Sequence, residues 1–596
     1  MFTFVANLAF MSSTQSNKFD YQLFSRVIAL AKPYRSIFIT CGILAVVLAP
    51  LSTLRPYLIK VMVDDYIFKY DVAGMTKIAL LICVILVLNV VMQYAFIYAT
   101  SWLGQAIIKD LRVRVFKHIT NLRLNYFDTT PIGTSTTRTI NDIETINTVF
   151  SQGVITILAD LLTLFAVLAI MFYTSWKLTL VCLVTMPFLI VATYIFKEKV
   201  KASYQIVRTQ ISKMNAYLQE RISGMRIVQI FNQEKSEMEK FKVINRAYTQ
   251  ANLDAILYYA VFFPVVEIIS AAALGLMVWY GARGVIGGDV TLGALIAFPI
   301  FLSMLFRPMR MLADKFNTLQ MGLVAADRVF GLLDKDAKIE NKGTFEPSVI
   351  EGHITFKKVN FAYIKNEYVL KDLSFNVNAG ETLAIVGSTG SGKTTIINIL
   401  NRFYEINSGQ ILIDGVDIRE YELLTLRQKT AVVLQDVFLF SGTVLENITL
   451  RDDTFTKEQV IEAAKMIGAH EFIMKLPGGY DYEVMERGAT LSMGQRQLIS
   501  FVRALVFDPQ ILILDEATSS IDPETESAIQ YAIETLIEKR TSIIIAHRLS
   551  TIRHADNIMV LDKGEIMEIG SHEELLKLED GHYRELYEMQ FVEVAS

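Results

Sequence analysis

The sequence predicts a multi-domain chain of two different parts, an all-α transmembrane domain of six helices followed by an α/β domain. The chain has 596 residues, several times the length of a typical domain. Of these residues 52% are apolar and 20% are charged, a more apolar balance than soluble globular proteins have. Long apolar runs fill the first half, whereas short β-branched strands alternate with helical segments in the second half. We therefore expect an N-terminal segment with an amphipathic elbow helix (1–35), a transmembrane domain with long cytoplasmic extensions (36–328), a linker (329–352) and an α/β domain (353–596).

Charge and cysteine usage exclude several classes of protein. The net charge of −4 suggests neither a polybasic nucleic-acid binder nor a disordered acidic tail. The cysteines Cys41, Cys83 and Cys182 all lie in apolar runs, which argues against a disulfide framework and a thiolate metal cluster. Residues 2–10 are apolar, but no basic residue precedes them and no small-residue cleavage site follows, so we expect no cleavable signal. Either Met1 or Met11 is the true start.

Six stretches are apolar enough and long enough to span a bilayer, which takes about 20 residues. They are 36–58, 78–102, 153–174, 178–196, 256–282 and 292–309. The alternative, buried core helices in a soluble protein, is disfavoured by the number of such runs. Basic residues concentrate after the second span and between the fourth and fifth spans, whereas the first connection is acidic. The positive-inside rule therefore places those basic connections, and both chain ends, in the cytoplasm.

The connection between the fourth and fifth spans is long and has the composition of a helix. Residues 196–253 contain no proline and a single glycine, so we expect two helices that extend far beyond the membrane. The few ionisable residues inside the spans include Arg55, Asp160 and Glu267. Each should face protein, water or ligand, because a charge in lipid is costly. For Glu267 two roles stay open, one in a substrate cavity and one in packing between helices.

The first functional motif in the second half of the chain is a glycine-rich loop. Residues 384–386 are typical of a buried strand, and the pattern GxxxxGK[ST] follows at 387–394 before a helix. Its backbone N–H groups and the helix N-terminus suit phosphate groups. Lys393 can reach the β- and γ-phosphates, and the Thr394 hydroxyl can ligate Mg²⁺. The nucleotide-binding candidates here are Gly387, Ser388, Thr389, Gly390, Ser391, Gly392, Lys393, Thr394 and Thr395.

Polar residues at the ends of three further strands complete the predicted site. Asp515 and Glu516 follow an apolar strand, where Asp515 can hold Mg²⁺ and Glu516 can polarise an attacking water. His547 follows another strand and can bond the γ-phosphate, although an isolated histidine is more often structural. Gln435, after the strand 431–434, can join the coordination of Mg²⁺, and Tyr363 can stack on an adenine ring. These residues predict an α/β P-loop ATPase domain that uses ATP and Mg²⁺.

A second anion site is predicted about a hundred residues after the loop. Residues 491–495 read LSMGQ and precede a helical run, which places Ser492, Gly494 and Gln495 at a helix N-terminus. The distance along the chain from Gly392 indicates two separate phosphate-contacting surfaces on one domain.

Together these residues resemble the ATPase domain of ABC transporters, and the resemblance covers the whole chain. The matching segments are an A-loop (Tyr363), a Walker A motif (387–394), a Q-loop (Gln435), a signature (491–495), a Walker B motif (Asp515, Glu516), a D-loop (Ser519, Ser520, Ile521, Asp522) and a switch (His547). Six spans fused to one such domain resemble an exporter half-transporter of the multidrug and lipid-flippase type. That resemblance implies an integral, multi-pass protein of a bacterial inner membrane with a cytoplasmic ATPase domain.

The resemblance also implies a mechanism and partners. Two chains would pair, and each ATP would lie between the Walker A motif of one chain and the signature of the other. ATP binding would turn the spans outward-facing, and hydrolysis would reset them. Residues 125–128 and 215–224 would be coupling elements, and residues 486–488 would sense them. The expected substrate is a small amphipathic molecule, a drug or a lipid, within membrane lipids and without nucleic acid.

One departure from the pattern concerns the dimer. The family signature is usually LSGGQ, and Met493 replaces its first glycine here. Heterodimeric exporters often combine an altered signature with an intact Walker B glutamate in one chain, as this chain does; a homodimer is only slightly favoured. The six spans argue against a soluble kinase or helicase, and the fusion argues against an importer. An ATP-gated channel or a regulatory membrane subunit stays open as an alternative to a pump.

Overall fold

The computed structural model describes residues 20–335, 341–515, 523–546 and 552–588. The chain divides into two compact units. The first comprises residues 1–120 and 130–336, and the second comprises residues 121–129 together with residues 337–596. Where it is described, the first unit is helical, and the second contains the β-sheets. The predicted fold class is confirmed.

Twelve α-helices lie between residues 20 and 335, and only the fourth of them belongs to the second unit. They are α1 (Tyr21–Ala29), α2 (Arg35–Val61), α3 (Val72–Ile119), α4 (Leu124–Thr129), α5 (Ile132–Thr137), α6 (Ile143–Thr148), α7 (Val154–Thr174), α8 (Trp176–Leu183), α9 (Met186–Ser223), α10 (Met225–Ile230), α11 (Glu234–Ile286) and α12 (Leu292–Leu333). The π-helical turn Met62–Ile67 extends α2. Two further π-helical turns join α5 to α6 and α6 to α7, so that these three helices form one continuous helical stretch.

Among the described residues, five helical stretches are long and apolar enough to cross a membrane, and five of the six predicted spans lie within them. They are Lys32–Ile67, Val72–Ile119, Ile132–Thr174, Trp176–Ser223 and Glu234–Ile286. The sixth predicted span corresponds to the shorter apolar stretch Leu292–Pro308 within α12. In the most apolar part of α3 only 6% of the residues are buried. An apolar surface that faces outward is typical of a helix solvated by lipid rather than of a core helix.

The long helices α9 and α11 form the extension that the sequence predicts beyond the membrane. They have 38 and 53 residues, or ~57 and ~80 Å at 1.5 Å per residue, against ~30 Å for the hydrocarbon core. Far from the apolar segments, the Tyr217 hydroxyl donates to the Glu237 carboxylate over 2.6 Å. Arg221 forms an ion pair with the same carboxylate over 2.8 Å. Polar contacts thus hold the two helices together where no lipid surrounds them.

Charged residues in the membrane-spanning part have different environments. Asp160 on α7 forms an ion pair with Lys315 on α12, so its charge is balanced by another helix of the same unit. Arg55 and Glu267 are exposed on α2 and α11.

The amphipathic helix α1 is bound to the end of α12, because both terminal guanidinium nitrogens of Arg26 donate to the Asp334 carboxylate over 2.8 Å.

The second unit contains a four-stranded sheet in the order β2-β1-β4-β5, a six-stranded sheet in the order β12-β11-β3-β10-β9-β6 and a two-stranded sheet of β7 and β8. The strands are β1 (Ile354–Phe361), β2 (Leu370–Val377), β3 (Thr382–Val386), β4 (Ser408–Ile413), β5 (Val416–Asp417), β6 (Thr430–Val433), β7 (Gly442–Thr443), β8 (Glu483–Val484), β9 (Ile511–Asp515), β10 (Thr541–Ile545), β11 (Asn557–Asp562) and β12 (Glu565–Gly570). The helices are α13 (Lys393–Leu400), α14 (Leu423–Lys429), α15 (Val444–Thr449), α16 (Lys457–Ile467), α17 (His470–Lys475), α18 (Met493–Val506), α19 (Pro523–Ile537), α20 (His572–Leu576) and α21 (His582–Tyr587).

The six-stranded sheet separates two apolar cores. Alternate residues of β3 point to opposite faces, so Leu383 and Ile385 join one core and Ala384 and Val386 join the other. Helix α13 packs in the first core, and α18 packs in the second. The inner strands β3, β9 and β10 are buried throughout, as parallel strands covered on both faces are.

Candidate nucleotide-binding site

The glycine-rich loop lies between β3 and α13, and two of its glycines cannot be replaced without strain. Gly387 has φ 155°, and a Cβ there would lie 2.1 Å from the carbonyl oxygen of Leu561. Gly392, which precedes α13, has the left-handed φ 106°, and its Cβ would lie 2.8 Å from the Leu370 side chain. Only glycine permits both the turn and the close approach of the neighbouring chain. The sequence pattern therefore reflects the backbone geometry of the loop.

Lys393 and Ser391 place polar groups inside this loop. The Lys393 ammonium donates to the carbonyl oxygens of Gly387 and Ser388 over 2.8 and 2.9 Å, while the side chain is 9% exposed. Within the described residues the buried Ser391 hydroxyl has no hydrogen-bond partner. Thr394 is exposed in the first turn of α13. An unsatisfied buried hydroxyl, a cation and a helix N-terminus fit a ligand with several anionic oxygens, such as a chain of phosphates.

Asp515 and Gln435 lie at the same edge of the sheet as the loop. Strand β10 pairs in parallel with both neighbours, and Ile545 is level with Ile385 on β3 and with Asp515 on β9. Strand β6 pairs in parallel with β9, and Gln435 follows it by two residues and is exposed. Because the carboxyl ends of parallel strands lie at the same edge of a sheet, Asp515 and Gln435 lie at the edge where the loop begins.

Burial changes the protonation behaviour of the two opposite charges at this edge. Desolvation raises the pKa of Asp515 above its ordinary value, and the positive charge of Lys393 works against that rise. Desolvation also lowers the pKa of Lys393, and the negative charge of Asp515 opposes that fall. Each charge therefore stabilises the other in a partly water-excluded site. Carboxylate, hydroxyl and amide oxygens from Asp515, Thr394 and Gln435 are the ligand types that Mg²⁺ prefers.

Two predicted catalytic residues, Glu516 and His547, lie outside the described residues, as do the four D-loop residues Ser519, Ser520, Ile521 and Asp522. Their roles remain predictions from the sequence. Thr389 and Gly390 are exposed in the loop, and Thr395 is buried in the first turn of α13.

Tyr363 lies beside the first turn of α13. Its hydroxyl donates to the Thr395 hydroxyl over 3.3 Å and accepts from the Asn398 side-chain amide over 3.1 Å. The ring meets Phe361 and Tyr404 edge to face, with centroids 4.8 and 5.0 Å apart, and 43% of Tyr363 stays exposed. A fixed and partly exposed ring next to a phosphate loop is suited to stacking with a base.

The signature lies on the opposite face of the six-stranded sheet from α13. Ser492 is the N-cap of α18, and its hydroxyl accepts from the backbone N–H of Gln495 over 3.2 Å. The Gln495 side chain in turn accepts from the backbone N–H of Ser492 over 3.0 Å. Ser492 is exposed, Met493 is half-buried and Gly494 is buried. The described domain therefore has two separate helix N-termini with predicted phosphate contacts, as the sequence indicates.

One of the predicted coupling elements contacts the ATPase domain. Helix α4 belongs to the second unit, and its Asp128 carboxylate accepts a hydrogen bond from the Tyr404 hydroxyl. Residues 215–224 form the end of α9 and Gly224 in the first unit. Residues 486–488 form a short 3₁₀ turn in which the N–H of Arg487 donates to the carbonyl of Leu439 over 3.1 Å.

Sequence reasoning missed Tyr404 and Asn398. Asn398 comes one turn after Thr395 on α13, so the helical spacing could have placed it near Tyr363. Tyr404 follows the end of α13 in an irregular segment, and no motif or periodicity marks it.

Comparisons with known proteins relate both parts of the chain to ABC transporters. Residues 38–309 match the family described as the ABC transporter transmembrane region, and residues 370–519 match the family described as ABC transporter. An uncharacterized ABC transporter ATP-binding protein of Bacillus subtilis is 39% identical over 96% of this chain and 95% of its own length. A probable multidrug resistance ABC transporter ATP-binding/permease protein of that organism is 39% identical over 90% of this chain and 80% of its own. An ATP-dependent lipid A-core flippase of Syntrophus aciditrophicus is 36% identical over 96% of this chain and 95% of its own.

The chain belongs to the ABC transporter family. It carries the membrane region and the ATP-binding domain in one polypeptide, as half-transporters do. It is thus an ATP hydrolase coupled to transmembrane transport, a multi-pass integral membrane protein with a cytoplasmic ATPase domain. Half-transporters of this family work as dimers.

Proposed function

We propose that two copies of this ABC half-transporter export an amphipathic substrate, a drug or a lipid, at the expense of ATP in a bacterial inner membrane. The observation that carries the proposal is the fusion of a phosphate-loop ATPase with helices whose apolar surface faces outward. Relatives that match nearly the whole chain are named as ATP-dependent lipid A-core flippases and as a multidrug export ATP-binding/permease protein. An amphipathic substrate suits apolar helices in which the charge of Asp160 is balanced by Lys315 on another helix.

In the proposed mechanism the loop residues hold the phosphates of ATP and the sheet edge arranges the attack. The Lys393 ammonium would exchange its two carbonyl acceptors for phosphate oxygens, and the Ser391 hydroxyl would gain the partner that it lacks. Glu516 would orient the attacking water, and His547 would bond the γ-phosphate. Thr394, Gln435 and Asp515 would hold Mg²⁺, which would neutralise charge on the phosphates. Tyr363 would stack on the adenine.

The second half of each site would come from the partner chain. Ser492, Gly494 and Gln495 of one copy would complete the site at the Walker A loop of the other. A serine hydroxyl that accepts a capping bond can still donate its own proton, so Ser492 can cap α18 and bond a phosphate at once. Because this one chain has both helix N-termini that are expected to bind phosphate, a homodimer would have two working sites. A heterodimer with a different half-transporter is the alternative that Met493 raises.

The first test is ATP hydrolysis by the chain alone in lipid nanodiscs, beside Glu516→Gln and the matched control Glu458→Gln on the exposed face of α16. We expect Mg²⁺-dependent turnover that falls at least ~100-fold in Glu516→Gln while ATP binding persists, and no change in Glu458→Gln. Turnover by the isolated chain would support the homodimer. No turnover from a folded, ATP-binding protein would contradict it and favour a missing partner chain.

A second measurement separates a pump from a channel. In proteoliposomes we expect amphipathic drugs or fluorescent lipids to stimulate hydrolysis and to be moved across the bilayer in an ATP-dependent manner. An ATP-gated ion conductance without stimulation by any such compound would overturn the pump and favour the channel. Stimulation by lipids alone, or by drugs alone, would define the substrate class.

A further inference from the structure

Tyr404 contacts two functional features of the second unit at once. One side of its ring meets the ring of Tyr363 edge to face, with centroids 5.0 Å apart and planes at 89°. Its hydroxyl donates to the Asp128 carboxylate on α4. Tyr363 is the residue on which the adenine is expected to stack, and α4 is covalently continuous with the membrane-spanning helices on both sides. A single side chain therefore lies between the nucleotide site and the segment that leads into the membrane region.

The segment that carries Tyr404 is held firmly. Arg402 is 3% exposed, and its guanidinium donates to the carbonyl of Ile418 over 3.1 Å and to the Glu405 carboxylate over the same distance. The phenol of Tyr404 also meets the ring of Phe361, with centroids 5.8 Å apart. Packing on both flanks leaves the ring little freedom except to follow its aromatic neighbours.

The bond to Asp128 is of the strong, charge-assisted kind. The Tyr404 hydroxyl donates the hydrogen bond and the Asp128 carboxylate accepts it, so a neutral donor is paired with a charged acceptor. Burial, and then the nearby carboxylate, raise the pKa of Tyr404, so the hydroxyl keeps its proton at neutral pH. Asp128 itself is exposed on α4. This hydrogen bond can therefore form or break, and so fix or free α4, without exposing the apolar core of the domain.

We infer that Tyr404 is a positioning residue that couples adenine binding at Tyr363 to the fixation of α4 through Asp128. The inference rests on the proposed function, because it concerns how ATP use reaches the membrane region. An adenine stacked on Tyr363 fixes the plane of that ring, the edge-to-face pair fixes Tyr404, and the hydroxyl of Tyr404 then holds Asp128.

The test follows amide hydrogen exchange in the full-length Glu516→Gln protein in nanodiscs, with and without saturating ATP and Mg²⁺. Two peptides are compared, residues 387–395 at the phosphate loop and residues 121–129 around α4. With Tyr404 intact we expect ATP to slow exchange in both. With Tyr404→Phe, which keeps the ring and removes the hydroxyl, we expect full protection of 387–395 and at least about fivefold weaker protection of 121–129. Asp128→Ala should reproduce this pattern.

Further variants separate coupling from damage to the fold. Tyr404→Phe combined with Asp128→Ala should be no worse than either change alone, because both remove the same bond. In the wild-type Glu516 background, Tyr404→Phe should leave the KM for ATP within about twofold, whereas Tyr404→Leu, which removes the ring beside Tyr363, should raise it about fivefold. Tyr531→Phe, at an exposed tyrosine on α19, is the matched control and should change nothing.

The outcomes are decisive in either direction. Equal protection of 121–129 with and without the Tyr404 hydroxyl would overturn the inference, and so would no protection of 121–129 by ATP in the parent protein. A parallel loss at 387–395 would also overturn it, because the effect would then lie in ATP binding or folding. None of these readings requires a transported substrate, so a failure of the proposed export function would appear separately, as absent stimulation and transport.

Discussion

Helices α13 and α18 both begin at segments expected to bind phosphate, and they begin in different ways. The N-cap of α13 is Gly392, which is in the left-handed conformation and offers no side chain to the helix. The N-cap of α18 is Ser492, which forms a capping box with Gln495. No side chain caps the N-terminal N–H groups of the first helix, so an anionic ligand would be their acceptor, whereas the second helix is capped by its own residues.

This difference indicates separate tasks for the two helix N-termini. At α13 the buried ammonium of Lys393 and the unpartnered hydroxyl of Ser391 form a site that is incomplete without an anion, within the described residues. At α18 the N-terminus is stable and exposed before any ligand arrives. If ATP binds first at α13 and a second surface closes on it later, α13 must need the anion and α18 must be stable without it. Variants at each helix can test it.

The largest effect is expected from Lys393→Ala. Loss of the ammonium should lower ATP hydrolysis ~100- to 1,000-fold, because the phosphates lose their main cationic donor. Burial lowers the pKa of Lys393, so its charge is disfavoured in the fold. The apparent melting temperature should therefore change little without nucleotide, while the stabilisation by added ATP should disappear. Hydrolysis and thermal unfolding with and without ATP measure both effects.

Lys539→Ala is the matched control, because Lys539 lies in a turn after α19, away from the loop. It should leave hydrolysis and the stabilisation by ATP unchanged. If Lys393→Ala still gained stability from ATP, the loop amides and Ser391 alone would bind the phosphates, and the contrast between the two helices would be wrong.

An intermediate effect is expected at Ser492. Ser492→Ala removes the cap and the phosphate donor together, so hydrolysis should fall ~10-fold or more and the free energy of unfolding by about 0.5–2 kcal/mol. Ser492→Asp keeps a good N-cap and introduces a negative charge facing phosphate. It should therefore retain the stability and lose more hydrolysis than Ser492→Ala. Chemical unfolding and hydrolysis of both variants separate the two roles.

The chain supplies a control for the cap alone. Thr456 begins α16 with the same arrangement, a hydroxyl cap and a glutamine three residues later. Thr456→Ala should cost a similar free energy of unfolding and leave hydrolysis intact. Equal losses of hydrolysis in Thr456→Ala and Ser492→Ala would show that the signature serine acts through stability and has no part in ATP use.

The second unit was largely predictable because phosphate chemistry restricts residue types. Gly387 and Gly392 are required by positive φ and close backbone approach, and Asp515 is required at a strand end, so each left a mark in the sequence. Tyr404 left none, because its role depends on tertiary neighbours that are close only after folding. A sequence motif shows the residues that a ligand requires. It does not show which other side chains hold those residues in place.

The membrane unit was predictable only in outline. Lipid demands apolar residues over a fixed length, which located the spans but gave no identity to any position. The pairing of Asp160 with Lys315 joins residues 155 positions apart, and Arg26 with Asp334 joins residues 308 apart. No local pattern reports such pairs. The substrate is equally absent from the composition, since apolar helices suit drugs and lipids alike.

The smallest effect is expected from Met493→Gly, which restores the usual family signature. Met493 is the first residue of α18 and half-buried, and the groups expected at the phosphate are the Ser492 hydroxyl and the backbone N–H groups that follow it. Those groups are present with either side chain. Hydrolysis by the isolated chain should therefore change no more than ~3-fold, which corresponds to less than about 0.7 kcal/mol.

Met493→Ala separates the side chain from the backbone freedom that glycine adds, because alanine removes the thioether without that freedom. If both variants raised hydrolysis ~10-fold or more, the Met493 side chain would obstruct the approach of the phosphate, and the chain would be built to pair with a different partner whose signature is open. If only Met493→Gly did so, the helix N-terminus would need to flex on closure. Little change in either would leave α18 as a preformed surface that closes on the ATP held at α13, in a dimer of identical chains.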